Sequence, residues 1–118
     1  MSEGENRVPI AVPEVVKSYF HFDALRSIDS LVELFTDDAT VVDEGVAHHG
    51  PADIRAWRIG PASKYTYTTD ILGSDALTAD RYVVRGRLRG NFPGGTVDLA
   101  FEFTIGGDRI SRLEIAPI

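Results

Sequence analysis

GTVDLAFEFTI, residues 95–105, is the stretch on which the fold turns. Val97, Leu99, Phe101, Phe103 and Ile105 alternate with Thr96, Asp98, Ala100, Glu102 and Thr104, the period of two that gives a strand one buried and one outward face. The preceding run, Thr78–Arg89, repeats the pattern: Tyr82, Val84, Gly86 and Leu88 share one face, and Arg81, Val83, Arg85, Arg87 and Arg89 the other. Gly86, in mid-strand on the inner face, permits either a bend or the close approach of a ligand. Further strand-like runs, Lys64–Leu72 and Arg109–Ala116, flank these two, with GSDA, GNFPG and GGD as the intervening turn segments. Consecutive strands with short turns make an antiparallel meander, and its apolar face needs a cover.

The N-terminal half supplies the cover. From Val12 the apolar residues Val15, Val16, Tyr19 and Phe20 recur at three- and four-residue steps behind Pro13, which predicts an amphipathic helix running to about Leu25. Ser27 is the expected N-cap of a second helix with Ile28, Leu31, Val32 and Phe35 on one face, ended by Asp37-Asp38. Residues 40–43 and 46–49 flank Glu44-Gly45 as a tight hairpin, and Gly50-Pro51 opens a third helix carrying Ile54 and Trp57 and stopped by Gly60-Pro61. The expected fold class is α+β, a cone-like curved antiparallel sheet wrapped around three N-terminal helices in the order ααββαββββ. One domain over residues 12–118 follows a disordered lead-in, residues 1–11.

Composition narrows the function. With 118 residues, 43% hydrophobic and 25% charged, the chain has room for one core. The absence of cysteine removes disulfides, thiolate metal sites and cysteine nucleophiles, and fits a reducing compartment, so the expected location is the cytoplasm. A net charge of −6 argues against nucleic acid as a partner. The segment MSEGENRVPIAV has neither the charge pattern of a secretory signal nor the apolar length of a membrane span. No P-loop, dinucleotide fingerprint, GxSxG elbow or metal-ligand spacing occurs, so neither cofactor nor metal is expected.

The order of elements, the string LVELFTDDATVVDEG (residues 31–45) and the following GPADIRAW (50–57) resemble the nuclear transport factor 2-like superfamily, in its SnoaL-like polyketide cyclase and ketosteroid isomerase branch. The resemblance spans residues 12–118 and is specific for fold, while the superfold hosts isomerases, dehydratases, cyclases and non-catalytic binders alike. It implies catalytic roles at two positions: Tyr19 matches the isomerase's oxyanion-hole tyrosine and Asp43 its general base. Leu99 stands where the isomerase has a second donor, a protonated aspartate, so a substrate more acidic than a simple ketosteroid is implied. It also implies a homodimer through the outer sheet face, where Val83 and Ala100 sit among charges of both signs.

Each candidate has a plainer reading beside it. Asp43 shares a strand face with Val41 and is either a pocket carboxylate or the first residue of the hairpin turn. Tyr19 lies on an apolar stripe, so its ring is core whatever its hydroxyl does. Trp57, Tyr65, Tyr67, Tyr82, Leu99 and Phe101 are either a ligand-binding wall or ordinary core. His48 and His49 face opposite ways; His49 is taken as the substrate-side residue of the pair, against its reading as a solvated hairpin residue. The arginine row either binds an anion or pairs across strands with Asp98 and Glu102. The resulting expectation is a cofactor-free isomerase, cyclase or dehydratase acting on a small apolar or polycyclic carbonyl compound. Its alternative is a non-catalytic ligand-binding or dimeric scaffold module.

Overall fold

The computed structural model describes residues 12–118, so the expected lead-in at residues 1–11 lies outside the described residues. Helix α1 (Glu14–Leu25) and the one-turn α2 (Ile28–Val32) come first, then β1 (Phe35–Asp43), β2 (Val46–His49) and α3 (Gly50–Ile59). A 3₁₀ turn over Pro61–Ser63 leads into the meander β3 (Tyr67–Ala76), β4 (Arg81–Gly90), β5 (Thr96–Gly106) and β6 (Arg109–Pro117). The six strands form one sheet in the order β2-β1-β6-β5-β4-β3. The fold class is the expected α+β arrangement. The sheet departs from an all-antiparallel one at a single seam, where β1 runs parallel to β6. The chain passes from β1 through β2, one helix and the 3₁₀ turn into the meander, whose last strand returns beside β1 in the same direction.

Three local expectations are corrected. The second helix stops at Val32, and Phe35 begins β1 instead of closing a helical face. Asp37 and Asp38 do not break a helix: they sit exposed where β1 bulges between Phe35 and Thr40, with Thr36 Oγ1 donating to Asp38 Oδ1 at 2.9 Å. The segment Gly73–Ala76 belongs to β3, and the chain turns at residues 77–80, where the Thr78 hydroxyl donates to Asp80. The hairpin at Glu44-Gly45 is as expected, with φ of 53° and 78°, the mirror-image turn that suits the twist of paired strands.

The core lies between the helices and one sheet face. Val16, Leu31, Ile54 and Trp57 meet Val41, Phe103 and Leu113 there, all nearly or fully buried. Each such side chain contributes about 1.5–3 kcal/mol by leaving water. The opposite face carries the charges. Arg81 pairs with Glu102, Arg85 with Asp75, Arg87 with Asp98 and Arg89 with Asp70, so the row of arginines is satisfied by neighbouring strands. Among the described residues no helix is long and apolar enough to cross a membrane.

Candidate functional site

Strand register decides which way Asp43 points. Asp43 lies opposite Ile115, Ile115 opposite Phe101 and Phe101 opposite Val84, so the carboxylate ends a row that runs along the inner face. Trp57, on the inner side of α3, donates its indole Nε1 proton to Asp43 Oδ2 at 3.0 Å. That bond orients the carboxylate and occupies one oxygen, while Oδ1 accepts no side-chain hydrogen bond among the described residues. Asp43 is therefore a pocket residue as well as the last residue before the turn.

Tyr19 faces it from α1. Its ring is 2% exposed and packs edge-on against Phe20, Phe35 and Phe103 at centroid distances of 5.2, 6.3 and 5.5 Å. The hydroxyl makes no hydrogen bond among the described residues, and Tyr19 lines the pocket. Burial pushes its pKa well above the usual phenol value, reinforced by the negative charge of Asp23 and, more weakly, Asp43. At neutral pH it is a proton donor.

One helical turn beyond Tyr19, Asp23 anchors a second polar group. Its Oδ1 accepts from Arg58 Nε at 2.9 Å, and the Tyr67 hydroxyl donates to its Oδ2 at 3.2 Å and Oδ1 at 3.5 Å. Arg58, 1% exposed, also donates Nη2 to the Asp23 backbone oxygen at 3.2 Å and Nη1 to Ser63 Oγ at 3.2 Å, while Ser63 Oγ donates to the Arg58 carbonyl. Burial raises the Asp23 pKa against the opposing pull of Arg58 and of the Tyr67 hydrogen bond. The Tyr67 hydroxyl is pushed up to about 12, first by burial and then by the Asp23 charge. Gly90 makes this placement possible: it pairs with Tyr67, and a Cβ there would stand 2.3 Å from the Thr66 oxygen and 2.8 Å from Tyr67 Cβ.

These groups enclose a pocket of about 340 Å³, within the range of small-molecule sites. Seven of the residues read from the sequence line it: Tyr19, Asp43, Trp57, Tyr65, Tyr67, Leu99 and Phe101. Tyr82 and His49 do not. Tyr82 shares the inner face but sits at the far end of β4, its hydroxyl donating to the Ala79 carbonyl at 3.2 Å. His49 faces the outer side, paired with Thr40, its Nδ1 2.9 Å from Thr40 Oγ1. His48 is the inward member of the pair, its ring 6.1 Å from that of Trp57. Gly86 lies beneath the wall, where a Cβ would meet Thr69 Cγ2 at 3.2 Å and Phe101 Cε1 at 3.4 Å. Sequence reasoning missed Asp23 and Arg58. The one available signal was a carboxylate four residues after Tyr19, on the same helical stripe. Among the described residues no group of three or more His, Asp or Glu side chains is placed to hold a metal ion.

The chain matches a candidate polyketide cyclase from Sinorhizobium meliloti at 38% identity over 89% of its own length and 95% of the other, with a TM-score of 0.83. A Catenulispora acidiphila protein of ketosteroid isomerase-like fold, in complex with trimethylamine, superposes with a TM-score of 0.78 at 19% identity, over 90% and 86% of the two chains. A Mycobacterium tuberculosis protein in complex with estradiol-17beta-hemisuccinate gives 0.72 at 14%, over 86% and 88%. The last two share the fold. No family model matches the sequence, and no curated protein matches it.

Proposed function

The chain belongs to the nuclear transport factor 2-like superfamily, among its polyketide cyclase- and ketosteroid isomerase-like members, and on that premise we propose that it is a cofactor-free enzyme of the isomerase, cyclase or dehydratase type acting on an apolar or polycyclic carbonyl compound. One observation carries the reading: Tyr19, whose hydroxyl has no hydrogen-bond partner among the described residues, and the carboxylate of Asp43, steered by Trp57, line the same pocket. Asp43 takes the proton from the carbon next to the substrate carbonyl. The electron pair of that C–H bond moves to the carbonyl oxygen, and Tyr19 stabilises the resulting enolate by donating a hydrogen bond. Asp43 then returns the proton, to the same carbon or to another. Leu99 offers no second donor, so a substrate whose enolate forms readily is favoured.

The test is deuterium exchange into small bicyclic ketones, followed by NMR in D₂O. Asp43→Asn keeps the shape, cannot accept the proton, and is expected to lower exchange by several orders of magnitude with the fold intact. Tyr19→Phe removes one donor and costs about 2–4 kcal/mol of barrier. Full exchange activity in Asp43→Asn would exclude Asp43 as the base.

The chain is further proposed to pair as a homodimer through the outer sheet face. Arginines and carboxylates alternate there around Val83 and Ala100, a pattern that two-fold symmetry can make self-complementary. Light scattering at micromolar concentration is expected to give twice the chain mass, and a monomer there excludes the pairing.

A further inference from the structure

The pocket has a second polar pole that the proposed chemistry leaves unused. Tyr67 stands on β3 and Asp43 on β1, with β6, β5 and β4 between them. The two residues therefore line one pocket from strands four steps apart in the sheet. A phenol has one proton and two lone pairs. The proton of Tyr67 is committed to Asp23, whose carboxylate is itself held by the buried Arg58. What Tyr67 presents to the pocket is therefore an acceptor, whereas Tyr19, whose proton has no acceptor among the described residues, presents a donor. The pocket lining also includes Asp23, Asp43 and Glu44 but, among the described residues, no lysine or arginine, so an anionic substituent is disfavoured on either wall.

We propose that Tyr67 determines specificity by accepting a hydrogen bond from a hydroxyl or N–H group at the end of the substrate remote from its carbonyl. The substrates of the site are then polycyclic ketones carrying a remote hydroxyl or amine, with the carbonyl toward Tyr19 and the donor toward Tyr67. The assignment of the carbonyl end rests on the mechanism proposed above.

The chain's one tryptophan provides the readout, since Trp57 lines the pocket and its indole N–H resonance is single. Two probes, 6-hydroxy-1-tetralone and 6-methoxy-1-tetralone, are titrated against the ¹⁵N-labelled protein while that resonance is followed. The wild type is expected to bind the hydroxy compound about tenfold more tightly, the net value of one added hydrogen bond. Tyr67→Phe is expected to bring the ratio to about one, chiefly by weakening the hydroxy compound. A wild-type ratio near one, no saturable shift with either probe, or a ratio that survives Tyr67→Phe overturns the proposal. Should Tyr67→Phe melt below the assay temperature, the wild-type ratio decides alone. Deuterium exchange at the carbon beside the carbonyl keeps the two readings apart. Exchange without a hydroxyl preference sinks the role of Tyr67 only, and a preference without exchange sinks the base chemistry only.

Discussion

Arg58–Asp23 and Arg87–Asp98 are the same chemical pair on opposite sides of the molecule. Their N–O distances are nearly equal, 2.9 and 2.8 Å, but the side chains are 2% and 10% exposed inside and 40% and 35% exposed on the outer face. Burial raises the pKa of Asp23 despite its arginine, while the hydrogen bonds from Arg87 lower that of Asp98. Distance does not decide the outcome: the inner carboxylate loses more hydration than its partner restores, and the outer one keeps its water. The inner pair is a liability held for position, since it fixes Tyr67 against α1. The outer pair is one rung in a solvated ladder.

The largest expected difference comes from breaking each pair on the arginine side. Arg58→Met strands Asp23 in the interior and is expected to cost about 3–5 kcal/mol in urea unfolding at neutral pH. Adding Asp23→Leu to Arg58→Met should recover most of that loss, because the desolvated charge goes too. A double variant as unstable as the single one would mean that Arg58 acts by packing.

Next in size is a pair of opposite pH slopes. The contribution of Asp23 is fully present below the ordinary carboxylate value of 3.8 and is lost as pH rises through its raised folded value. That of Asp98 is fully present above 3.8 and is lost as pH falls through its depressed folded value. Relative to wild type, Asp23→Asn should therefore gain stability as pH climbs above 3.8, and Asp98→Asn should lose it as pH climbs towards 3.8. Urea midpoints measured from pH 2 to pH 7 read both slopes, and slopes of equal sign would erase the distinction drawn between the two faces.

Smallest is Arg87→Gln. At a dilution that keeps the chain monomeric it should barely move the melting temperature, and moderate salt should remove what difference remains. The same variant at high concentration reports on the proposed dimer face, where weakened association is expected.

The meander was legible because strand alternation is a local property. Val97, Leu99, Phe101 and Phe103 announce their face within one strand, and the parity linking Val41 to Asp43 put the carboxylate inward before any partner was known. Glu44-Gly45 likewise turns the chain by its own backbone preference. Parity says nothing of position along a strand. Tyr82 faces inward as read, yet Leu88, six residues on and about 20 Å away, is the one that reaches the pocket. The histidine pair was legible too, and was misread: a two-residue turn at Glu44-Gly45 pairs Val41 with His48 and Thr40 with His49, so the inward parity of Val41 and Asp43 makes His48, not His49, the inward member.

Arg58 and Asp23 were hidden for a stronger reason. A charged residue beside Trp57 on a helix reads as the solvent side, and its partner is 35 residues away on another helix. The sequence by itself determined that four strands close the chain as a meander, which face of its middle strands is apolar, and that Tyr19 and Asp43 belong to the apolar side. Tertiary structure alone decided that α1, α3 and β3 converge where an arginine can be buried, because only simultaneous donation to the Asp23 carboxylate, the Ser63 hydroxyl and the Asp23 carbonyl makes a dehydrated guanidinium tolerable.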